Sequence, residues 1–303
     1  EAEGGKYEEI KNATKAGVDI KTDVTNDSDT EATGVSVKST VYNKESDVIS
    51  TQTDDITVAA GKTETISQSV DVANPKLWSV DSPNLYWVRT EIIQNGKVVD
   101  RTDSRFGIRY IATDPNSGFY LNGVHTKLNG VCEHSDLGSL GMETYQAAVD
   151  RRIRTLKKYG VNAIRTSHNP VSPEFIEACD RLGMLVFEEA FDQWLYSKNS
   201  DDYHNYFNKA ADGKTVVFDK AGNDNTNNDT SYIEVKRDDL QSNAERDIKA
   251  MVDRDKNAPC IFAWSTGNEI YDARYKHGEN TLDMLTGWIK EIDTTRPVAA
   301  CPP

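Results

Sequence analysis

One carboxylate, that of Glu269, occupies a position in the sequence that suits acid–base catalysis. The run Cys260–Trp264 is apolar throughout, the next four residues are small or polar, and Glu269 follows them. An apolar run of this length bounded by turn residues is typical of a strand buried on both faces. In a (β/α)₈ barrel, catalytic groups lie at the carboxyl ends of the strands. We therefore predict that Glu269 is an acid/base group; a helix-capping or ion-paired glutamate is the alternative.

Polar side chains also follow the other predicted strands of this region. They are Glu133, His134 and Asp136 after the first strand, Arg165 and His168 after the second, Glu188, Glu189, Asp192 and Trp194 after the third, and Asn268 before Glu269. The carboxyl ends of parallel strands meet at one rim, so we expect these side chains to converge. Buried charges are costly unless paired, so Arg165 should pair with the carboxylates.

Several roles stay open for the individual residues. His134 and His168 could donate hydrogen bonds to ligand hydroxyls, act as general bases, serve as satisfied structural histidines, or bind metal. No HxH or HExxH spacing supports zinc, and we predict no metal and no cofactor. Adjacent strand residues point to opposite faces, so only one of Glu188 and Glu189 can face the barrel centre, and the other should pair with a helix cation. Trp194 could stack on a ligand ring or lie in the core.

The first part of the chain reads as an all-β domain. Val18–Val24, Val35–Tyr42 and Ile56–Val58 alternate apolar and polar residues, which is typical of strands with one buried face. Asn95-Gly96 predicts a tight hairpin turn. Short strands at this spacing favour an immunoglobulin-like β-sandwich over residues 1–110.

After residue 110 strand-like and helical patterns alternate, which predicts parallel βα units. Predicted strands begin at Lys127, Val161, Met184, Cys260 and Val298, a predicted helix begins after Ser172 and another near Val235, and residues 195–232 form a long polar loop. The predicted fold class is multidomain β plus α/β, an immunoglobulin-like β-sandwich followed by an incomplete (β/α)₈ TIM barrel over residues 111–303.

The composition of the chain indicates which classes of binding partner are compatible with it. The formal net charge is −14, which disfavours nucleic acid and does not penalise a neutral sugar. No apolar run approaches the roughly 20 residues that span a bilayer, so no membrane partner is expected. Four widely spaced cysteines show no disulfide framework. Localisation stays open; the acidic, Asn- and Thr-rich composition favours a secreted or cell-surface bacterial protein over a cytoplasmic one.

Several ordered motifs resemble one enzyme family. They are Arg105–Arg109, Gly130–Gly138, Asn162–Pro170, Glu188–Asp192 and Trp264–Glu269, together with the stretch from Leu77 to Tyr86. The chain resembles glycoside hydrolase family 2 from about residue 10 to its end, and its closest likeness there is to the bacterial β-galactosidases.

The resemblance implies retaining hydrolysis of β-glycosides through a covalent glycosyl-enzyme. Glu269 would protonate the leaving oxygen and later activate water. Asn268 would bind the sugar 2-hydroxyl, and His134, Arg165 and His168 would line the sugar pocket. Asp192 and Trp194 are further candidate substrate contacts.

The sequence departs from the family pattern in ways that change what we predict for its activity and metal binding. The family's nucleophile is a second glutamate on a later barrel strand, so we expect this chain to be a fragment of a β-galactosidase that is inactive alone. Gln193-Trp194 stands where some β-galactosidases bind magnesium, so no metal is predicted. The open barrel edge could pair with a second copy. The alternatives are a β-glucuronidase or β-mannosidase of the same family, and a non-catalytic sugar-binding scaffold.

Overall fold

The computed structural model describes residue 10, residues 13–194, residue 198, residues 243–274 and residues 276–301. The chain divides into two compact units. The first comprises Glu1–Lys127 with Asn257–Pro259, and the second comprises Leu128–Lys256 with Cys260–Pro303. The predicted domain boundary at residue 110 stays a prediction.

The first unit contains two antiparallel sheets and a short meander. Its strands are β1 (Lys15–Thr25), β2 (Ala32–Tyr42), β3 (Val48–Val58), β4 (Thr63–Ala73), β5 (Tyr86–Gln94), β6 (Lys97–Phe106), β7 (Ile111–Asp114), β8 (Gly118–Leu121) and β9 (Val124–His125). One sheet pairs β1 with β4, and the other has the order β3-β2-β5-β6. Strands β7, β8 and β9 form a separate antiparallel sheet.

Alternating side chains build the core of this unit. Val37 and Val41 on β2 are fully buried, and Val88 on β5 and Val72 on β4 are buried as well. The predicted hairpin is confirmed: Asn95 and Gly96 have φ angles of 51° and 78° and connect β5 to β6. Positive φ at both central residues gives a turn whose twist matches that of the flanking strands.

The second unit contains a parallel sheet with helices between its strands. The elements are β10 (Gly130–His134), α1 (Gln146–Lys158), β11 (Ala163–Ser167), α2 (Pro173–Leu182), β12 (Leu185–Glu189), α3 (Asn243–Asp255), β13 (Ile261–Ser265), α4 (Lys276–Ile292) and β14 (Val298–Ala299). The strand order is β10-β11-β12-β13-β14, and all neighbours are parallel. The predicted fold, a sandwich followed by part of a (β/α)₈ barrel, is confirmed.

The bounds of strand β10 differ from the prediction. The sequence predicts a start at Lys127 for β10, but the strand runs from Gly130 to His134, because its pairing with β11 begins at Gly130 and continues through the polar residues Glu133 and His134. The predicted start of α3 at Val235 and most of the predicted 195–232 loop lie outside the described residues. In the part of the chain that the structure describes, no helix is long and apolar enough to cross a membrane.

Helix α2 begins after Ser172, as the sequence predicts, and has a defined signal at each end. The Ser172 hydroxyl accepts a hydrogen bond from the Phe175 amide at 3.3 Å, and Pro173 occupies the first turn. Gly183 ends the helix with a φ of 75°, a left-handed conformation that glycine adopts at little cost. These signals fix where the chain turns back into β12.

A buried carboxylate fastens β13 to the end of α4. The Asp293 carboxylate accepts hydrogen bonds from the Trp264 indole at 2.8 Å and the Arg296 guanidinium at 2.6 Å. Thr295 donates to it through both its amide and its hydroxyl. Arg296 in turn donates to the Ile261 carbonyl at 2.8 Å. The network therefore holds the strand that leads to Glu269.

Asp293 should stabilise the fold in a pH-dependent way. Burial alone would raise the pKa of Asp293, but the charge of Arg296 and the bonds from Thr295 outweigh burial and lower that pKa from 3.8 to about 2. A depressed carboxyl pKa gives stability that is present above the unfolded pKa and lost as pH falls through the folded one. We expect Asp293→Asn to lower the free energy of unfolding by about 2 kcal/mol or more at neutral pH.

Urea unfolding of both proteins at a series of pH values checks this prediction. The difference between them should narrow as pH falls from about 4 to about 2. Asp283→Asn, at an exposed position of α4, the helix that precedes Asp293, is the matched control. A difference between wild type and Asp293→Asn that stays constant over this range would contradict the prediction.

Candidate active site

The Glu189 carboxylate is the centre of the polar rim. Glu189 is the last residue of β12 and is fully buried. Its Oε2 accepts hydrogen bonds from Arg165 Nε at 2.9 Å, from Arg165 Nη2 at 2.7 Å and from the Ser265 hydroxyl at 2.6 Å. Its Oε1 lies 2.6 Å from His168 Nδ1. A buried carboxylate is tolerated only with such partners, and these contacts tie the ends of β11, β12 and β13 together.

The neighbouring Glu188 faces the helices instead. Its carboxylate lies 3.3 Å from Arg254 of α3, and this confirms the prediction that one of the two glutamates pairs with a helix cation. Burial raises the pKa of Glu188 well above its usual range, and Asp255 raises it further. Arg254 offsets this only in part, because its guanidinium is bound mainly to Asp255. Glu188 therefore belongs to the packing between sheet and helix rather than to the rim.

Arg165 links the centre of the rim to Asn268. Its Nη2 donates to Asn268 Oδ1 at 2.9 Å, and Asn268 Nδ2 donates to Asp192 Oδ1 at 2.9 Å. Lys198 Nζ donates to the same Asp192 oxygen at 2.9 Å. Burial alone would raise the pKa of Asp192, but the bonds from Asn268 and Lys198 lower it. Charges of opposite sign thus alternate along the rim, and both ends of the Asn268 amide are fixed.

Two imidazoles lie side by side at the same rim. The ring centroids of His134 and His168 are 5.2 Å apart, and the rings meet edge to face. The contact of His168 Nδ1 with Glu189 Oε1 fixes the orientation of the His168 ring. His134 is exposed at the end of β10. The pair offers polar atoms suited to sugar hydroxyls.

Glu269 lies at the exposed edge of this network. Its side chain is 64% exposed, and its Oε2 lies 3.7 Å from Lys198 Nζ. Its φ of 44° is uncommon for a residue other than glycine. Such backbone conformations cost about 1–3 kcal/mol and cluster at functional sites. The structure therefore places Glu269 beside the network, and its chemical role stays a prediction.

The structure corrects the prediction that Trp194 contacts the substrate. It is 1% exposed, so its ring as placed offers no face for a sugar, and the interpretation as a core residue holds. Its indole N–H donates to the Thr266 carbonyl at 2.8 Å. A Cβ on Gly267 would lie 2.9 Å from the indole nitrogen and 2.5 Å from Ile270, so only glycine fits there without displacing neighbours. Trp194 supports the turn that carries Asn268 and Glu269.

Some members of the network carry no clear signal in the sequence. Sequence patterns leave Glu189 as one of two adjacent candidates, and they do not single out Ser265 or Lys198. The pairing register supplies a signal, because Glu189 is paired with Ser265 across β12 and β13. Residues paired in register project to the same face of a sheet. A correct alignment of β12 with β13 would therefore have identified the Ser265 hydroxyl as a partner of the Glu189 carboxylate.

The rim favours a neutral polyhydroxylated ligand. The cations Arg165 and Lys198 are each bound to a carboxylate, and Arg152 pairs with Glu133 at 2.9 Å. Within the described ranges, no cluster of three or more His, Cys, Asp or Glu side chains is arranged to hold a metal ion. The remaining donors and acceptors can bind hydroxyl groups.

Comparison with known proteins agrees with this geometry. A model of the family "Glycosyl hydrolases family 2" matches residues 6–109, and a model of "Glycosyl hydrolases family 2, TIM barrel domain" matches residues 113–301. The beta-galactosidase BoGH2A of Bacteroides ovatus is 32% identical in an alignment of 317 positions, gaps included, which covers 94% of this chain and 33% of that protein.

Solved structures show the same relationship. A glycosyl hydrolase family 2 member from Bacteroides cellulosilyticus matches with a TM-score of 0.79 and 34% identity over 96% of this chain and 33% of that one. A beta-glucuronidase from Bacteroides uniformis matches with a TM-score of 0.73 and 26% identity over 95% of this chain and 32% of that one. The chain thus spans about a third of the length of these relatives.

Adjacent glutamates allow a matched test of the site. Glu189→Gln removes the charge that Arg165 and His168 share, and we expect it to lower the free energy of unfolding by about 3 kcal/mol or more. Glu188→Gln replaces a carboxyl whose protonated form is favoured by burial, so the expected change is within about 1 kcal/mol at neutral pH. Urea unfolding measures both. Equal losses in the two variants would contradict the assignment of opposite faces.

Proposed function

The chain belongs to glycosyl hydrolase family 2, and from this membership we propose that it forms part of a retaining glycosidase that cleaves terminal β-galactosides, with Glu269 as the acid/base. The observation that carries the proposal is the network of Glu189, Arg165 and Asn268, because Asn268 immediately precedes Glu269 in the chain. One family model ends at residue 109 and the other begins at residue 113, which supports the proposed division into a sandwich of residues 1–110 and a barrel portion of residues 111–303.

The proposed reaction has two steps. In the first, a carboxylate nucleophile forms a bond to the anomeric carbon while the glycosidic C–O bond breaks, and Glu269 gives its proton to the leaving oxygen. In the second, Glu269 takes a proton from water as the water oxygen bonds to the anomeric carbon. The bond between that carbon and the nucleophile breaks, which releases the sugar and restores the nucleophile carboxylate. The two carboxyl groups must lie about 5–5.5 Å apart. We propose that residues outside these 303 supply the nucleophile.

Fixed polar groups would position the sugar. Both ends of the Asn268 amide are hydrogen-bonded, so its remaining N–H and lone pair have defined directions toward a 2-hydroxyl. His168 is held through Nδ1 by Glu189, and His134 packs against it. Side chains fixed before binding lose little entropy when the substrate arrives. Asp192 is a further proposed hydroxyl acceptor.

The charge at the rim supports a neutral sugar over a sugar acid. The described rim cations Arg165, Lys198 and Arg152 are each paired with a carboxylate, which leaves little positive charge for a substrate carboxylate. A β-glucuronidase is the second candidate, because a solved beta-glucuronidase shares the fold at 26% identity. A β-mannosidase and a non-catalytic sugar-binding scaffold are the third and fourth candidates.

Substrate choice separates these candidates. We expect the full-length gene product to hydrolyse nitrophenyl β-galactoside faster than the matching glucuronide and mannoside, because the described rim lacks a free cation for a carboxylate. Initial rates at equal substrate concentration measure this. A preference for the glucuronide would contradict the galactoside proposal, and inactivity on all three would favour the scaffold.

The acid/base role of Glu269 has its own signature. Glu269→Gln should lower the rate on a poorly activated glycoside by about 10²–10⁴-fold. Formation of the glycosyl-enzyme from a dinitrophenyl glycoside should fall far less, because that leaving group needs no proton. Glu174→Gln, at an exposed position on α2, is the matched control. Equal losses on both leaving groups would contradict an acid role.

The 303-residue chain alone should not turn over these substrates, since the proposal places its nucleophile elsewhere. Its rate should equal that of its Glu269→Gln variant in the same assay. A rate that exceeds that of the variant would refute this part of the proposal.

A further inference from the structure

An open cleft lies on the outer face of the β3-β2-β5-β6 sheet in the first unit. We call it the sandwich cleft. Its volume is about 420 Å³, and residues of β2, β5, β6 and the turn after β2 line it. Ligand pockets typically have volumes of about 300–1,000 Å³. The cleft is therefore large enough to hold a ligand.

Two aromatic side chains form the floor of the sandwich cleft. Tyr42 on β2 is paired in register with Trp87 on β5, and both lie partly exposed. Their chain neighbours Val41 and Val88 point into the core, so the two rings share the outer face. Cross-strand partners have Cβ atoms about 4.5–5.5 Å apart, so the two aromatic side chains project from neighbouring points of this face, and we call the pair the platform.

A fixed ion pair borders this platform. Arg89 donates to Asp103 through Nε at 2.8 Å and through Nη2 at 3.0 Å, which is a bidentate geometry. The Arg89 guanidinium also lies 5.7 Å from the centre of the Tyr42 ring. The pair is neutral overall and holds donors and acceptors in defined positions beside an apolar surface.

A rigid turn closes one side of the sandwich cleft. The Asn43 amide donates to the Asp47 carbonyl at 3.1 Å, and the Asp47 amide donates to Asn43 Oδ1 at 2.8 Å. Asn43 Nδ2 donates to the Asp47 carboxylate at 2.9 Å. Ser46, which lines the cleft, lies within this closed turn. Because this turn is held by hydrogen bonds before a ligand arrives, ordering it adds little entropic cost to binding.

We propose that the sandwich cleft is a second carbohydrate-binding site that takes a neutral β-linked oligosaccharide. A pyranose ring presents an apolar C–H face, which suits the Tyr42 and Trp87 platform, and a rim of hydroxyls, which suits Arg89 and Asp103. A nucleic acid base could also stack there, but the net charge of −14 opposes its phosphates. The choice of a neutral β-linked sugar rests on the proposed function; the existence of the site does not.

Binding without turnover tests this proposal separately from catalysis. The 303-residue chain is run in native gels that contain β-1,4-galactan and is titrated calorimetrically with β-1,4-galactotetraose. We expect the gel to retard the wild type and its Glu269→Gln variant alike. Trp87→Ala and Tyr42→Ala should each weaken binding by about tenfold or more, whereas Trp87→Phe should retain most of it.

Controls keep a loss of folding apart from a loss of binding. Tyr159→Ala removes an exposed aromatic ring in the second unit and should leave retardation unchanged. Arg89→Gln breaks the ion pair without removing an aromatic ring, and thermal unfolding checks that each variant is folded. Binding that persists in folded Trp87→Ala and Arg89→Gln would overturn the proposal, as would the absence of wild-type binding. Loss of binding in His168→Ala but not in Trp87→Ala would instead assign the sugar to the barrel, which also overturns it.

Discussion

The rim of the barrel depends on one buried carboxylate. Glu189 is removed from water, and its charge is compensated by the Arg165 guanidinium, the Ser265 hydroxyl and the His168 ring. Arg165 lies on β11 and Ser265 on β13, so the carboxylate at the end of β12 holds the three strands relative to one another. Removing it would leave a partly buried guanidinium without its main counter-charge. The same constraint orients Arg165 toward Asn268 and so defines where a ligand could bind.

A second set of contacts supports the turn that carries Asn268 and Glu269. The Trp194 indole donates to the Thr266 carbonyl, and the Thr266 amide donates to the Ala299 carbonyl of β14 at 2.9 Å. Gly267 leaves no room for a larger residue beside them. The left-handed backbone at Glu269 is thus held by its surroundings, which is how uncommon conformations persist at functional sites.

The sequence predicts the elements better than the orientations of the side chains. Periodicity locates the strands and the Ser172 cap, because alternation and capping are local properties. Whether Glu188 or Glu189 faces the rim is decided by strand direction and register, which involve residues far apart in sequence. The burial of Trp194 likewise depends on contact with distant residues, so composition alone could not separate a core ring from a ligand platform. The pairing of Tyr42 with a second ring becomes visible only once β2 is aligned with β5.

The central claim is that Arg165 and Glu189 form one coupled unit that organises the rim. A double-mutant cycle tests it most directly, with unfolding free energies measured for wild type, Arg165→Met, Glu189→Gln and the double variant. We predict a coupling free energy of about 2 kcal/mol or more. Each single change leaves a charge without its counter-charge, on a fully buried Glu189 or a partly buried Arg165, whereas the double change removes both charges. Additive effects within about 0.5 kcal/mol would contradict the account.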